Sequence, residues 1–171
     1  MYKYRGFYFT TRLTFSSTLN DLADRARKGM LAIMKLSWSI GEHSPDIFFK
    51  MFDCQMQPIL TYGSEVWGLS DNQESIERVH LSALKKFLVS LQSPRCLIYG
   101  ETGRHHLFVN TFARCIKFWL RLTCMDDRRY PRKADMLLNL QRQNYTTWIC
   151  KVRNVLYKCW LWCGLGTVRC L

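Results

Sequence analysis

The sequence lacks the short motifs that mark most enzyme families. Its 171 residues contain no Walker or dinucleotide-binding glycine pattern, no HExxH zinc motif and no Ser-His-Asp or Cys-His signature. Acidic residues are scarce, with 13 Asp and Glu against 25 Lys and Arg, which gives a formal net charge of +12. We therefore predict no catalytic residues and expect an anionic partner, most often nucleic acid, because a strongly basic surface attracts polyanions.

The eight cysteines also lack the spacing of a redox or zinc site. None of them forms a CxxC pair, and His105-His106 with Cys96 match no common ligand spacing. Cys115 and Cys150 fall in apolar helical patterns, where a thiol acts as a small hydrophobe. The N-terminus has neither the charged nor the apolar region of a signal peptide. These observations predict reduced thiols, no metal or other cofactor, and an intracellular protein (nucleus or cytoplasm) that is not secreted.

No segment has the length of clean apolar sequence that a membrane span needs. The longest nearly uncharged run, residues 48–68, is interrupted by three charged residues and Pro58, whereas a bilayer requires about 20 apolar residues. Its apolar residues recur at helical spacing, which predicts a core helix that begins at Ser44-Pro45. Because Pro58 removes an amide donor, we expect a kink or a break into two helices there.

Apolar residues repeat at three-and-four spacing along most of the remaining chain, which predicts five to seven helices in all. The further predicted helices span residues 19–34, 76–88, 109–123, 133–141 and 147–158. Residues 1–16, rich in aromatics and threonine, predict a short strand or hairpin. Residues 90–106 contain Pro94, Gly100 and Gly103 and are predicted to form a loop.

The predicted fold class is mainly α, an amphipathic helical bundle with a short N-terminal β segment and an irregular C-terminal tail. Two helix starts resemble capping boxes, Thr18 with Asp21 and Ser70 with Gln73. Gly41 is the predicted pivot of the turn after the first helix. The residues predicted to face the core are Leu19, Leu22, Ala23, Ala26, Met30, Ile33, Met34, Phe48, Met51, Phe52, Gln55, Ile59, Gly63, Val66, Trp67, Ile76, Val79, Ala83, Leu84, Phe87, Leu88, Phe112, Ile116, Trp119, Leu120, Thr123, Leu137, Leu138, Trp148, Val152, Val155 and Leu156.

The cations are concentrated on helix faces. Arg114, Lys117 and Arg121 are separated by three and four residues and share one face over two turns, and we refer to them as the basic stripe. Phe118 and Tyr130 flank this stripe. The other predicted nucleic-acid-binding residues are Arg128, Arg129, Arg132, Lys133, Arg25, Arg27, Lys28, Lys35, Lys85 and Lys86. Such cations can track phosphates by charge and hydrogen bonding, although a solvated helix face would show the same pattern.

The cations of the first helix are predicted to contribute less than the basic stripe. Arg25, Arg27 and Lys28 spread around the helix instead of sharing one face. Asp21 and Asp24 lie nearby in the sequence and would partly cancel the field of these cations.

Four strings in the chain are distinctive together. They are QPILTYGSEVWG (57–68), IERVHLSALKKFL (76–88), YGETGR (99–104) and CIKFWLRL (115–122). They resemble the region after the catalytic palm in reverse transcriptases of non-LTR (LINE-type) retrotransposons, and the resemblance covers most of residues 1–158. It implies a remnant or isolated reading frame of a larger polyprotein, with a thumb-like helical region and the segment C-terminal to the thumb, but without the palm.

On this resemblance the chain divides into four predicted parts. Residues 1–89 are a thumb-like helical region with the N-terminal strand segment, and residues 90–106 are a linker. Residues 107–158 form a basic post-palm helical region, and residues 159–171 are the irregular tail.

The sequence Cys124-Met125-Asp126-Asp127 matches the x-Met-Asp-Asp signature of a reverse-transcriptase active site. That chemistry needs the aspartates on a hairpin between buried strands, with a further aspartate from another strand, so that the carboxylates converge on metal ions. Here the pair ends a predicted amphipathic helix, and four basic residues lie just beyond it. We therefore interpret it as a helix end with local ion pairs.

The resulting prediction is a noncatalytic nucleic-acid-binding remnant of an RNA-directed DNA polymerase, resembling the region that holds the template-primer. Its expected partners are RNA or DNA and, in the parent polyprotein, the palm, with no membrane and no small-molecule substrate. Two alternatives remain open. In the first alternative the chain is a helical protein-interaction module whose basic faces meet an acidic partner. In the second it is an inert relic that does not fold stably alone.

Overall fold

The structure is a computed structural model that describes residues 2–11, 14–41, 44–70, 73–87, 93–140 and 147–158. The predicted tail, residues 159–171, lies outside the described residues, as do Leu88 and the first part of the predicted loop. The chain forms two compact units, each built from two stretches of sequence. Unit 1 comprises Met1–Gly63 and Ser70–Asn110, and unit 2 comprises Ser64–Leu69 and Thr111–Leu171.

Unit 1 begins with the predicted strand pair, which the structure confirms. Strand β1 (Tyr2–Tyr4) pairs with strand β2 (Phe7–Phe9) in an antiparallel hairpin. The hairpin is tied to the first helix because the hydroxyl of Thr18 accepts a hydrogen bond from the backbone N–H of Tyr8, 2.9 Å away. Such a tie matters because a two-stranded hairpin is marginally stable by itself.

Helix α1 spans Ser16–Ile40 and confirms most of the predicted apolar face. It starts two residues before Thr18, so Thr18 is a buried residue of the first turn and not the predicted capping residue. Of the predicted inward residues only Met34 is half-buried, and the other six are buried. The helix ends at Gly41, which has the left-handed φ of 72° expected for the pivot of the turn.

The core run of residues 45–60 is helical throughout. It consists of α2 (Pro45–Met51), a π-helical turn (Phe52–Met56) and α3 (Gln57–Leu60). The predicted disturbance at Pro58 therefore takes the form of a π-helical turn just before the proline, and the helix does not break. A π-helical turn shifts the backbone hydrogen bonds by one residue, which accommodates the missing amide donor.

The inner face of this run repeats every four residues. Phe48, Phe52, Met56 and Leu60 are all at most 2% exposed, and the run packs against α1. Of the residues predicted inward, Met51 and Ile59 are only half-buried, and Gln55 and Val66 are exposed. The observed row of buried residues differs from the predicted row because the π-helical turn changes which residues of the run face the core.

Unit 1 is completed by α5 (Glu74–Phe87) and α6 (Arg95–Thr102). The loop predicted at residues 90–106 is wrong for Arg95–Thr102, which form the helix α6 of unit 1. Pro94 precedes its first residue, and Gly103, with a φ of 62°, comes directly after its last. Two of the three residues that suggested a loop, Pro94 and Gly103, are thus the boundaries of a short helix, and the third, Gly100, lies inside it. Its Ile98 packs with Leu81 and Leu84 of α5 in a small core cluster.

The capping box predicted at Ser70 is one turn too early. Helix α5 begins at Glu74, and the backbone carbonyl of Gln73 accepts the first hydrogen bond, from the N–H of Glu77 at 3.1 Å. The side-chain amide of Gln73 donates to the carbonyl of Ser70 at 3.2 Å. Gln73 therefore stands at the cap position, and Ser70 lies in the preceding turn.

Unit 2 contains the single turn α4 (Ser64–Trp67), α7 (Leu107–Thr123), α8 (Tyr130–Leu140) and α9 (Trp148–Lys158). The first turn of α7 belongs to unit 1, and its residues from Thr111 onward belong to unit 2. The core of unit 2 is formed by Trp119, Val152 and Leu156, with several half-buried apolar residues around them. This core joins α7 to α9, as the apolar spacing of both segments predicts.

In unit 2 the predicted face of α7 is confirmed in part, and the predicted face of α8 is wrong. On α7 the buried row is Leu107, Thr111, Cys115, Trp119 and Leu122, whereas the other residues predicted inward are half-buried. Thr111 and Cys115 are small residues at the place where the backbone at Gly68 approaches α7 closely. A search for large apolar residues in the sequence does not identify such a row. On α8 the predicted core residues Leu137 and Leu138 are exposed, and Asp135 is buried instead. Arg132, one turn earlier, donates a hydrogen bond to one oxygen of the Asp135 carboxylate at 3.0 Å, which offsets part of the cost of burying this charge.

The predicted fold class, mainly α with a short N-terminal β segment, is confirmed. Counting residues 45–60 as one helix, the described part of the chain has eight helices, one more than the predicted upper number. None of these helices is both long enough and apolar enough to cross a membrane.

Candidate nucleic-acid interface

The basic stripe lines an open groove in unit 2. Arg114, Lys117 and Arg121 are all exposed, and they border a groove of about 570 Å³ together with Glu65, Val66 and Phe118. Helix α7 forms one wall of the groove, and the single turn α4 contributes Glu65 and Val66. Three cations face one carboxylate, so the groove is positively charged.

The spacing along α7 places the cations around an aromatic ring. Arg114, Phe118 and Arg121 are at positions i, i+4 and i+7, which share one helix face, and Lys117 lies beside them. Within the described part of the chain, Lys117 and Arg121 make no ion pair with a carboxylate. Their charges therefore remain available to an anionic ligand.

The position of α4 against α7 is fixed by a close backbone approach. A Cβ atom on Gly68 would lie 2.5 Å from the carbonyl oxygen of Ser64 and 2.8 Å from the sulfur of Cys115. The thiol of Cys115 donates a hydrogen bond to the same Ser64 carbonyl at 3.1 Å. Burial, with a contribution from the Glu65 carboxylate, raises the pKa of Cys115 to about 12. This cysteine is therefore a packed, neutral thiol, as its apolar sequence context predicts.

Phe118 is supported from behind by α9. Its ring lies 5.9 Å from the ring of Trp148, at an angle of 69°, in an edge-to-face contact. Phe118 is half-buried, so part of the ring still lines the groove. Tyr130, the other aromatic predicted to flank the stripe, is 87% exposed and does not line this groove.

The four cations after α7 differ in their surroundings. Arg132 is committed to two carboxylates, Asp127 at 3.2 Å and Asp135 at 3.0 Å. Arg128 and Arg129 are exposed and make no ion pair within the described ranges. The amine of Lys133 lies 5.9 Å from the centre of the Tyr130 ring, a cation–π distance.

The Asp-Asp pair after α7 makes local contacts. The side chain of Asp126 accepts a hydrogen bond from the backbone N–H of Arg128 at 2.9 Å, and Asp127 pairs with Arg132. In the part of the chain that the structure describes, no group of three or more His, Cys, Asp or Glu residues could hold a metal ion. The two carboxylates thus follow the end of α7, where Asp126 accepts a backbone hydrogen bond and Asp127 forms an ion pair.

In unit 1 the predicted cations of α1 are largely paired. Arg25 contacts Asp21 at 2.5 Å, and Arg27 contacts Asp24 at 2.7 Å. Lys28 is exposed without an ion pair among the described residues. The acids that the sequence places nearby are therefore direct partners of both arginines.

A second, smaller groove, in unit 1, is also lined by basic side chains. It has a volume of about 260 Å³, and its basic lining residues are Arg27, Arg78 and Lys86. Arg78 is not among the predicted binding residues, because Glu74 stands one turn before it, and the two side chains pair at 3.4 Å. The amine of Lys86 lies 3.4 Å from the sulfur of Met34, so it partly covers α1. Of the other predicted cations, Lys35 is exposed and Lys85 is half-buried.

Unit 1 also contains a buried carboxylate network, which we call the Glu77 network. Glu77 is 2% exposed and accepts hydrogen bonds from the hydroxyl of Tyr99 and from the backbone N–H of Leu107, the latter at 2.9 Å. Nitrogen atoms of His106 and His80 lie 3.1 and 3.5 Å from its oxygens. The carboxylate thereby joins α5, α6 and the first residue of α7.

The protonation of this network is set by its burial and its contacts. Burial alone raises the pKa of the Glu77 carboxyl, but the contacts with His80, Tyr99 and His106 lower it by more, so the pKa lies below its ordinary value. Burial and the neighbouring carboxylate raise the pKa of the Tyr99 hydroxyl. Glu77 is therefore a charged acceptor and Tyr99 a neutral donor at neutral pH. The sequence contained one signal for this network, an acid inside the predicted core face of α5.

Comparison with protein-family models, with curated proteins and with solved structures finds no match to this chain.

Proposed function

We propose that this chain is a noncatalytic nucleic-acid-binding part of a retrotransposon reverse transcriptase, and that the groove of unit 2 is its binding surface. The observation that carries the proposal is the arrangement of Arg114, Lys117 and Arg121 around one groove. Lys117 and Arg121 have no acidic partner within the described residues.

The chemistry of this groove suits a phosphate backbone. A chain of phosphates presents one negative charge per nucleotide, and cations on successive turns of a helix can neutralise several of them. The planar guanidinium groups of Arg114 and Arg121 can each bind a phosphate with two hydrogen bonds, and Lys117 acts as a point charge between them. Such contacts hold nucleic acid without reading its sequence.

The wider assignment rests on the four sequence strings that resemble the post-palm region of LINE-type reverse transcriptases. Under this proposal the chain holds RNA or DNA for a palm supplied by a larger polyprotein, has no polymerase activity of its own, and acts inside the cell.

The salt dependence of binding tests the proposal. We expect the triple variant Arg114→Ala, Lys117→Ala and Arg121→Ala to lose up to about 2.7 units of the slope of log K against log salt on duplex DNA, because each phosphate contact contributes roughly 0.9. Sequence preference should hardly change, since phosphate contacts carry no sequence information.

A matched control removes three cations from α1. The variant Arg25→Ala, Arg27→Ala and Lys28→Ala should lose no more than about 0.9 units of slope, because two of these cations are already paired with aspartates. Equal slopes for the parent and the stripe variant, with both proteins folded, would mean that the stripe is only a solvated face. Binding to an acidic peptide but to no nucleic acid would favour the interaction module, and the absence of a cooperative unfolding transition would favour the relic.

A further inference from the structure

We infer that the groove of unit 2 accepts a single strand of nucleic acid, with one base stacked on Phe118 and phosphates on either side of that base bound by Arg114 and Arg121. The inference rests on the proposed function and specifies which form of nucleic acid the groove takes. Its grounds are the aromatic ring among the cations and the single acidic residue, Glu65, that lines the same groove.

The spacing on α7 fits a strand that runs along the helix. At a rise of about 1.5 Å per residue, Phe118 lies roughly 6 Å beyond Arg114 and roughly 4.5 Å before Arg121 along the axis. The two arginines are therefore about 10 Å apart, or about three nucleotides of a stacked strand at about 3.4 Å each. A base can then lie on the ring while two phosphates about three nucleotides apart, one on each side of that base, reach the two guanidinium groups.

The position of the ring distinguishes a single strand from a duplex. Phe118 lines the groove together with the three cations, and its ring makes an edge-to-face contact with Trp148. In a duplex the faces of the bases are covered by their neighbours, and only their edges reach the grooves. A protein ring of this kind can stack on a base only where the strand is unpaired.

Glu65 adds a second restriction. Glu65 lines the groove from α4, whereas the three cations line it from α7. The Glu65 carboxylate would repel a second phosphate backbone near α4, whereas a single backbone can track the α7 side alone. One basic wall, one acidic group and an aromatic ring are thus suited to a single strand.

The test compares Phe118 variants on single strands and on a duplex. Binding of oligo(dT), oligo(rU) and a duplex of the same length is measured by fluorescence anisotropy for the parent, Phe118→Ala, Phe118→Leu and Phe118→Trp. Leucine keeps the apolar contact with Trp148 but removes the aromatic face, and tryptophan keeps that face. The fold of each variant is checked by thermal unfolding.

We expect Phe118→Ala and Phe118→Leu to weaken single-strand binding roughly 5- to 150-fold, since base stacking contributes about 1–3 kcal/mol. Phe118→Trp should retain single-strand affinity, and duplex binding should change less than about twofold in all three. The salt slopes should stay at the parental value because no cation is removed. The two oligonucleotides show whether the site prefers DNA or RNA.

Equal losses on single strands and duplex, or unchanged single-strand affinity in a folded Phe118→Leu variant, would overturn the inference. These outcomes are separate from failure of the proposed function. That failure appears as an unchanged salt slope in the stripe variant, whatever the Phe118 variants do. If Phe118→Ala does not fold, the comparison of the leucine and tryptophan variants still decides the question.

Discussion

Replacing Glu77 with alanine removes the acceptor that α5, α6 and the start of α7 share in unit 1. The carboxylate is 2% exposed, and it accepts hydrogen bonds from the Tyr99 hydroxyl and the Leu107 backbone N–H. In the alanine variant both donors lose this acceptor. We expect this change to destabilise the protein more than the loss of a surface carboxylate on the same helix.

The magnitude can be worked out from the two donors. Each buried polar group left unsatisfied costs about 1–3 kcal/mol, so Glu77→Ala should cost about 2–6 kcal/mol in the free energy of unfolding. The lower half of this range is expected, because the variant also avoids the cost of burying a charge. Total stability of a domain is typically about 5–15 kcal/mol, so even about 2 kcal/mol is a large fraction. Glu77→Gln keeps one oxygen acceptor and should lose less.

Urea unfolding monitored by circular dichroism measures this cost. Glu74→Gln is the matched control, because Glu74 lies one turn earlier on the same helix and pairs with Arg78 and Arg95 at the surface. The control should behave almost like the parent. A loss below about 1 kcal/mol for Glu77→Ala, or an equal loss for the control, would refute the structural role assigned to the Glu77 network.

The Glu77 network also predicts the sign of a pH effect. The pKa of Glu77 in the folded protein is lowered from its ordinary value of 4.5. A carboxyl with a lowered pKa contributes stability that is fully present above its unfolded pKa and is lost as the pH falls through its folded pKa. The parent should therefore lose this contribution below pH 4.5. The difference in stability between the parent and Glu77→Gln should shrink in the same range, and a difference that grows there would contradict the assignment.

Three further predictions concern unit 2. Gly68→Ala should destabilise the protein by about 1–3 kcal/mol, because its Cβ would overlap a carbonyl oxygen of α4 and the sulfur of Cys115, and an unchanged melting temperature would contradict this contact. Cys115 should react with a thiol reagent at pH 8 far more slowly than the exposed Cys54, as mass spectrometry of labelled peptides can measure, and equal rates would mean that the thiol is accessible. The purified chain should show no primer extension, and Asp126→Ala with Asp127→Ala should change nothing, so template-dependent incorporation lost in that variant would restore the catalytic interpretation.

The sequence predicted the helices best where one face is continuously apolar. On α1 six of the seven residues that the spacing predicts to face the core are buried, because they form one continuous apolar row on the single buried side of the helix. Prediction was poorer at the ends of helices. Pro94 and Gly103 favour a loop when the sequence is taken alone, although proline before a helix and glycine after it also mark the boundaries of one.

Contacts between residues distant in sequence could not be predicted in this way. The Glu77 network depends on Tyr99 and Leu107, which lie 22 and 30 residues further along the chain. The basic stripe was visible because its residues share a local helical spacing. The groove that it borders was not, because Glu65 and Val66 come from another segment.

The central claim is that nucleic acid binds in the groove of unit 2, and lysine footprinting of the unaltered protein tests it most directly. Lys117, Lys28 and Lys35 are all exposed, so each should react with an acetylating reagent in the free protein. When oligo(dT) is added at low salt, the claim predicts that acetylation of Lys117 falls several-fold while acetylation of Lys28 and Lys35 stays unchanged. Protection of Lys28 and Lys35 with full reactivity at Lys117, or no protection of any lysine at saturating oligonucleotide, would contradict it.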